Sequence, residues 1–208
     1  MRVKSKFLRG AAGIFPTMAC FFFAAYGATD VPSTPFIDLS AVSVPEMPAK
    51  AADLVQAAAA ANRARTVQDV LKAVSVIARP GVLPYVVSAI CSRSPEAAGA
   101  TVSMAVGLQP EKVLIFCRAA LCSAPSQVEE IVFSACRAMP AAWIDVAETA
   151  ATQVPSARDA ILAAVGRARP DLELYLEEAQ VEAGTNDVQS VISQAMKSFN
   201  EAATTQGK

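Results

Sequence analysis

The chain has 208 residues, of which 53% are hydrophobic, 6% aromatic and 18% charged. A sizeable core must therefore be assembled from many small aliphatic side chains with few large anchors. Histidine is absent and the formal net charge is −1. That removes the usual general base, the commonest metal ligand and the neutral-pH switch together, and no basic stripe interleaved with aromatics speaks for nucleic acid.

Residues 1–27 read as a secretory signal peptide. Arg2, Lys4, Lys6 and Arg9 form a basic start, Ala11 to Ala25 an apolar stretch, and Ala25-Tyr26-Gly27 places small residues where a signal peptidase needs them. An uncleaved membrane anchor is the alternative, because the apolar run approaches spanning length. The leader holds four of the 18 basic residues and none of the 19 acids, so removing it leaves a net charge of −5. Residues 28–49, with Pro32, Pro35, Pro45 and Pro48 among Ser, Thr and Asp, read as an extended linker.

Seven prolines then occupy every fifteenth position: Pro80, Pro95, Pro110, Pro125, Pro140, Pro155 and Pro170. With 13 prolines in the whole chain, chance would place one at roughly one position in sixteen, so the run is a tandem repeat. Extending the frame both ways gives ten units over 50–199 and a polar tail over 200–208. Each unit fits one helix of about three turns, with proline at the first helical position, where its missing N–H costs nothing. Ser94-Pro95-Glu96 suggests a serine N-cap followed by an acid beside the positive helix end. Arginines in the last three positions of the units, Arg63, Arg79, Arg93, Arg137, Arg167 and Arg169, suit the negative helix ends.

Apolar residues keep register with the prolines. The seventh position runs Leu71, Val86, Thr101, Phe116, Ile131, Val146, Ile161, Leu176, Val191; the fourth, eighth and eleventh positions are similarly apolar in the central units. Spacings of three and four mark one helix face, and the added eighth position broadens it for a helix with neighbours on both sides. Short connections make consecutive helices antiparallel. The expected fold is all-α: an α-solenoid of ten short antiparallel helices in five hairpins, with polar end units as caps. Proline interrupts every apolar run of the array well short of the about 20 residues a membrane span needs.

The repeat section contains Cys91, Cys117, Cys122 and Cys136. An even count in an exported chain raises disulfides, and the repeat frame pairs Cys91 with Cys122 and Cys117 with Cys136. Burial as small hydrophobes is the alternative. Glycine-rich phosphate loops, Ser–His pairs and metal-ligand clusters are missing from the pattern, so no catalytic, cofactor or metal residue is expected and the chain does not read as an enzyme. Tyr85, Trp143 and Tyr175 are candidate partner anchors, with Trp143 better suited to the core.

Charge is uneven along the array. Residues 50–125 hold eight basic residues against four acids, and residues 126–184 hold four against ten. Arg63 and Arg65 at one end, and Glu173, Glu177, Glu178 and Glu182 at the other, form a candidate interaction surface, which could join copies head to tail. The expected function is that of an exported, non-enzymatic repeat protein, periplasmic or extracellular, that binds a protein partner or acts as a scaffold. A self-assembling structural subunit and a carrier of an apolar ligand are the alternatives.

Overall fold

Each proline of the central repeats acts through the residue before it. In the computed structural model, which describes residues 39–77, 81–183 and 187–206, Ser94, Gln109, Ala124, Met139, Val154 and Arg169 all sit at φ between −142° and −129° and ψ between 64° and 77°. A following proline clashes with a helical conformation at that place. The N–H of each such residue still donates to the carbonyl four residues back, at 2.8–3.0 Å, and its own carbonyl accepts from the residue three ahead, at 2.9–3.0 Å. One non-helical residue thus closes one helix and opens the next, leaving few backbone groups to be satisfied by other means.

Ten helices result among the described residues: α1 (Met47–Ala57), α2 (Ala60–Ile77), α3 (Leu83–Arg93), α4 (Ala98–Leu108), α5 (Val113–Ser123), α6 (Val128–Ala138), α7 (Trp143–Gln153), α8 (Arg158–Ala168), α9 (Glu173–Ala183) and α10 (Val188–Gln206). No strand occurs among these residues. Ahead of α4 to α8 the proline opens a three-residue 3-10 turn, from Pro95–Ala97 to Pro155–Ala157. One bend residue, that short turn and a helix of 11 residues together make up the repeat.

The ends depart from the frame, for local reasons. Helix α1 starts at Met47, with Pro48 in its first turn, so part of the stretch read as linker is helical, and Leu39 and Met47 are buried. Helix α2 runs for 18 residues straight through the expected boundary between Ala64 and Arg65. No proline stands there, and Ala and Arg are strong helix formers. Gly81 precedes α3 at φ 111°, a conformation glycine adopts without a side-chain clash. Helix α10 has 19 residues and continues to Gln206, through most of the expected polar tail. It starts on Asp187, whose carboxylate accepts from the backbone N–H groups of Gln189 and Ser190 at 3.2 and 3.1 Å and from the Ser190 hydroxyl at 2.6 Å. Those bonds, the Ser190 hydroxyl first, hold the Asp187 carboxyl below its ordinary range.

The serine cap expected at Ser94 is not made. Its side chain is buried and the Oγ has no hydrogen-bond partner, while the Ala97 N–H is taken by the Ser94 carbonyl. The backbone turn already supplies what a cap would.

The helices pack in two rows. Helices α1, α3, α5 and α7 lie side by side, as do α2, α4, α6 and α8, and each helix also touches its sequence neighbour. Helix α10 breaks the alternation by resting on both α9 and α7. The seventh-position column is buried from Leu71 to Val191. The fourth, from Leu83 to Trp143, and the eleventh, from Ile90 to Val165, are buried as well. Small residues let the rows close: a β-carbon on Gly99 would lie 2.9 Å from Ser134 Oγ and 3.2 Å from the Glu130 carbonyl oxygen.

Two substitutions test the joints. Arg65→Pro, at an exposed side chain inside α2, should cost about 3 kcal/mol or more, because it removes a helix hydrogen bond; a real boundary there would tolerate it. Ser94→Ala should leave stability equal or higher, since it deletes an unsatisfied buried hydroxyl, whereas losing a working cap costs about 1 kcal/mol. Urea denaturation midpoints measure both.

Candidate partner-binding groove

In the five repeats over 80–154 the fourth, seventh, eighth and eleventh positions are buried. On α3, α5 and α7 the sixth, ninth, tenth and thirteenth positions are left to line the outer face. Tyr85, Ile115 and Asp145 hold the sixth position of α3, α5 and α7 in turn. Tyr85 is 70% exposed and Ile115 52% exposed.

Around Tyr85 the surface is concave. A groove of about 750 Å³ is lined by Val44 and Pro45 just ahead of α1 and Pro48 in its first turn, by Val82, Tyr85, Ser88, Ala89 and Ser92 of α3 with its N-terminal edge, and by Cys122 and Ser123 of α5. A second hollow of about 240 Å³ lies between α5 and α7, lined by Leu114, Arg118, Asp145, Glu148, Thr149, Thr152 and Gln153. The Cys122 thiol donates to Gln153 Oε1 at 3.1 Å and joins the two. The face therefore grades from apolar near α1 and α3 to charged and hydroxyl-rich at α7. Its floor is stiffened by a relay: Ser123 Oγ donates to the Ala119 carbonyl at 2.9 Å, which leaves it to accept from Ser88 Oγ at 2.7 Å.

The aromatic candidates separate cleanly. Trp143 is buried, with the Arg169 guanidinium 5.9 Å from its ring centre. Tyr175 is half-buried and meets Phe199 edge-on at 5.5 Å. Tyr85 is the one of the three that lines the groove described above. Val44, Pro45 and Pro48 were not foreseen as site residues, because a proline-rich stretch before the repeats reads as spacer. The weak signal was the absence of any core demand on positions six, nine, ten and thirteen.

Neither expected disulfide is present; all four repeat cysteines are free thiols. Cys91 and Cys136 hold the twelfth position, shared with buried Val106 and Leu121, and Cys117 holds the eighth, shared with Val102 and Val132. They pack as small hydrophobes. Cys122 is in the thirteenth position and exposed, so it points away from the core that holds Cys91. Burial pushes the thiols of Cys91, Cys117 and Cys136 up to about 12.

The charged candidates are used in several ways. Arg63 pairs with Glu96 and also donates to the Ala58 carbonyl at 3.3 Å; Arg93 pairs with Asp53. Arg167 bridges Glu129 at 3.1 Å and Glu130 at 3.0 Å, with its guanidinium 4.3 Å from the Phe133 ring centre. These arginines tie one helix to the next but one, where simple complementation of helix ends was expected. Arg65 is exposed on α2, and Glu173, Glu177 and Glu178 are exposed on α9; the side chain of Glu182 and residue Arg79 lie outside the described residues. The fold does not bring the two charged sets together within one chain. No group of three or more metal-ligating side chains occurs among the described residues, and no helix among them is long and apolar enough to cross a membrane.

No protein-family model matches the chain, and no similar curated protein or solved structure was found.

The cysteine environments give a pH signature. Three thiols held near 12 in the folded state, against an ordinary 9.0, bind protons that the unfolded chain has already released in that window. Stability should be unaffected by these groups below about pH 9 and fall as pH climbs from about 9 towards about 12. Denaturation midpoints at pH 7 and pH 10.5 measure the loss, which should be smaller in Cys117→Val. At neutral pH, Cys122 should react with a maleimide well before the three buried thiols.

Proposed function

We propose that this chain is an exported, non-enzymatic α-solenoid that binds an extended segment of a partner protein along the outer face of its odd-numbered helices. The observation that carries the reading is Tyr85, a large aromatic left 70% exposed in a groove of about 750 Å³ lined by apolar residues and serines. Isolated apolar residues on a surface are ordinary; Tyr85 and Val44 together in one concave groove suit a partner site. The solenoid reading is supported by the bonds between next-but-one helices, which join residues 31 to 37 apart in sequence. Separations slightly above two repeats suit parallel alignment within a row, and so alternating direction along the chain.

The chemistry of the face describes its occupant. Apolar side chains enter beside Tyr85, Val44 and Pro48, while hydroxyl or basic groups suit Glu148, Asp145 and Thr149 at the α7 end. Export rests on the leader of residues 1–27, which lies outside the described residues. Intact-mass analysis of the protein from its host should find Ala28 as the mature N-terminus.

A photo-crosslinking amino acid at position 85 should capture one discrete partner in the exported fraction, and the same group at position 163, exposed on α8 in the other row, should not. Tyr85→Ala should weaken binding of that partner by about thirtyfold, the scale of a buried aromatic anchor. Equal capture from both positions, or unchanged affinity in Tyr85→Ala, would count against this face.

A further inference from the structure

Two helix faces at the ends of the array are unlike the rest of the surface, and they match each other. On α2 the buried stripe is Val67, Val70, Leu71 and Val74. The opposite stripe carries Arg65, Gln68, Lys72 and Val76, spaced by three and four residues so that they share one side. Val76 is 84% exposed, and Asp69, half-buried, is the one acid at the edge of this stripe. On α9 the buried residues are Leu172, just ahead of the helix, Leu176 and Ala179. The opposite stripe carries Leu174, Glu177, Glu178 and Val181, with Val181 85% exposed. Helix α9 contains no basic residue.

Each face thus combines two like charges with strongly exposed aliphatic side chains, and the charges are opposite. We propose that the α2 face of one copy docks on the α9 face of a second copy, so that the chains associate head to tail. Arg65 and Lys72 flank Glu177 and Glu178, while Val76 packs at one end of the contact beside Val181. Arg63 takes no part, because it is already paired with Glu96 of its own chain.

The array holds a precedent for such a joint. Within the even-numbered row, Arg63 of α2 pairs with Glu96 ahead of α4, and Arg167 of α8 pairs with Glu129 and Glu130 of α6. Arginine–glutamate pairs over small apolar contacts are the way this fold already joins neighbouring helices. The two faces differ, so the contact is heterologous and leaves one face of each kind free at the ends, open to further addition. A contact of one helix face on another is expected to bury less than the about 1,600 Å² of a standard stable interface, so association is expected in the micromolar range and should weaken as salt screens the charges. The inference goes beyond the proposed groove, which is lined at α1, α3 and α5 and includes no residue of α2 or α9.

Charge reversal tests it, with the protein as its host produces it, by sedimentation equilibrium. The wild-type average mass should rise with concentration at low salt and fall towards the monomer at high salt. E177K/E178K makes both faces basic and R65E/K72E makes both acidic, so each variant alone should associate at least about tenfold more weakly. An equimolar mixture of the two should recover association, because every junction then joins opposite charges. E177Q/E178Q, which introduces no repulsion, should weaken association by less than the reversal. Circular dichroism verifies that each variant is folded. A wild-type mass independent of concentration at low salt would overturn the proposal, as would a folded mixture that stays monomeric.

Discussion

Everything in this molecule depends on the steric clash between a proline ring and the residue before it. That clash denies one residue per repeat the helical conformation, and the residue then serves two helices with its single N–H and single carbonyl. Helices of 11 residues, the length of α4 through α8, are too short to be stable in isolation. The joint makes them cooperative by delivering each directly onto the last, without a loop whose ordering would cost entropy. Where proline is missing, at Arg65, the helix simply continues.

Uniform joints impose uniform packing, and uniform packing explains the composition. Each helix presents the same few inward positions, so small aliphatic residues recur in columns and the aromatic content stays low. Three cysteines occupy those columns as stand-ins for valine and leucine. Their raised pKa values follow from burial, which also makes them poor nucleophiles. Gly99 answers the same shortage of space, since Glu130 and Ser134 of the next helix in the row occupy the volume beside it.

Outside the columns the repeats differ, and there function can reside. The odd-numbered row turns its variation into a groove that changes from apolar to polar along its length. The even-numbered row uses much of its charge in bonds between its own helices. At the ends, on α2 and α9, charged and strongly exposed aliphatic residues stand together on one side of a helix, and the two ends carry opposite signs.

The period, the helical class and the buried columns were legible in the sequence because regularly recurring prolines and an apolar pattern in register are local, repeated signals. Even Trp143 could be placed in the core by column alone. The groove was not legible, because Val44 and Pro48 reach Tyr85 and Ser123 only once the helices are stacked. Nor was the use of Arg63 and Arg167, since a charge near a helix end reads the same whether it faces water or a glutamate two repeats away along the chain. Where the helices bend and which sides face inward follow from backbone sterics and hydrophobic periodicity, and both act between residues close in the chain. Where the array starts and ends, how its charges pair and which side chains remain to meet a partner follow only from the stacked helices, because they depend on distances between residues far apart in sequence.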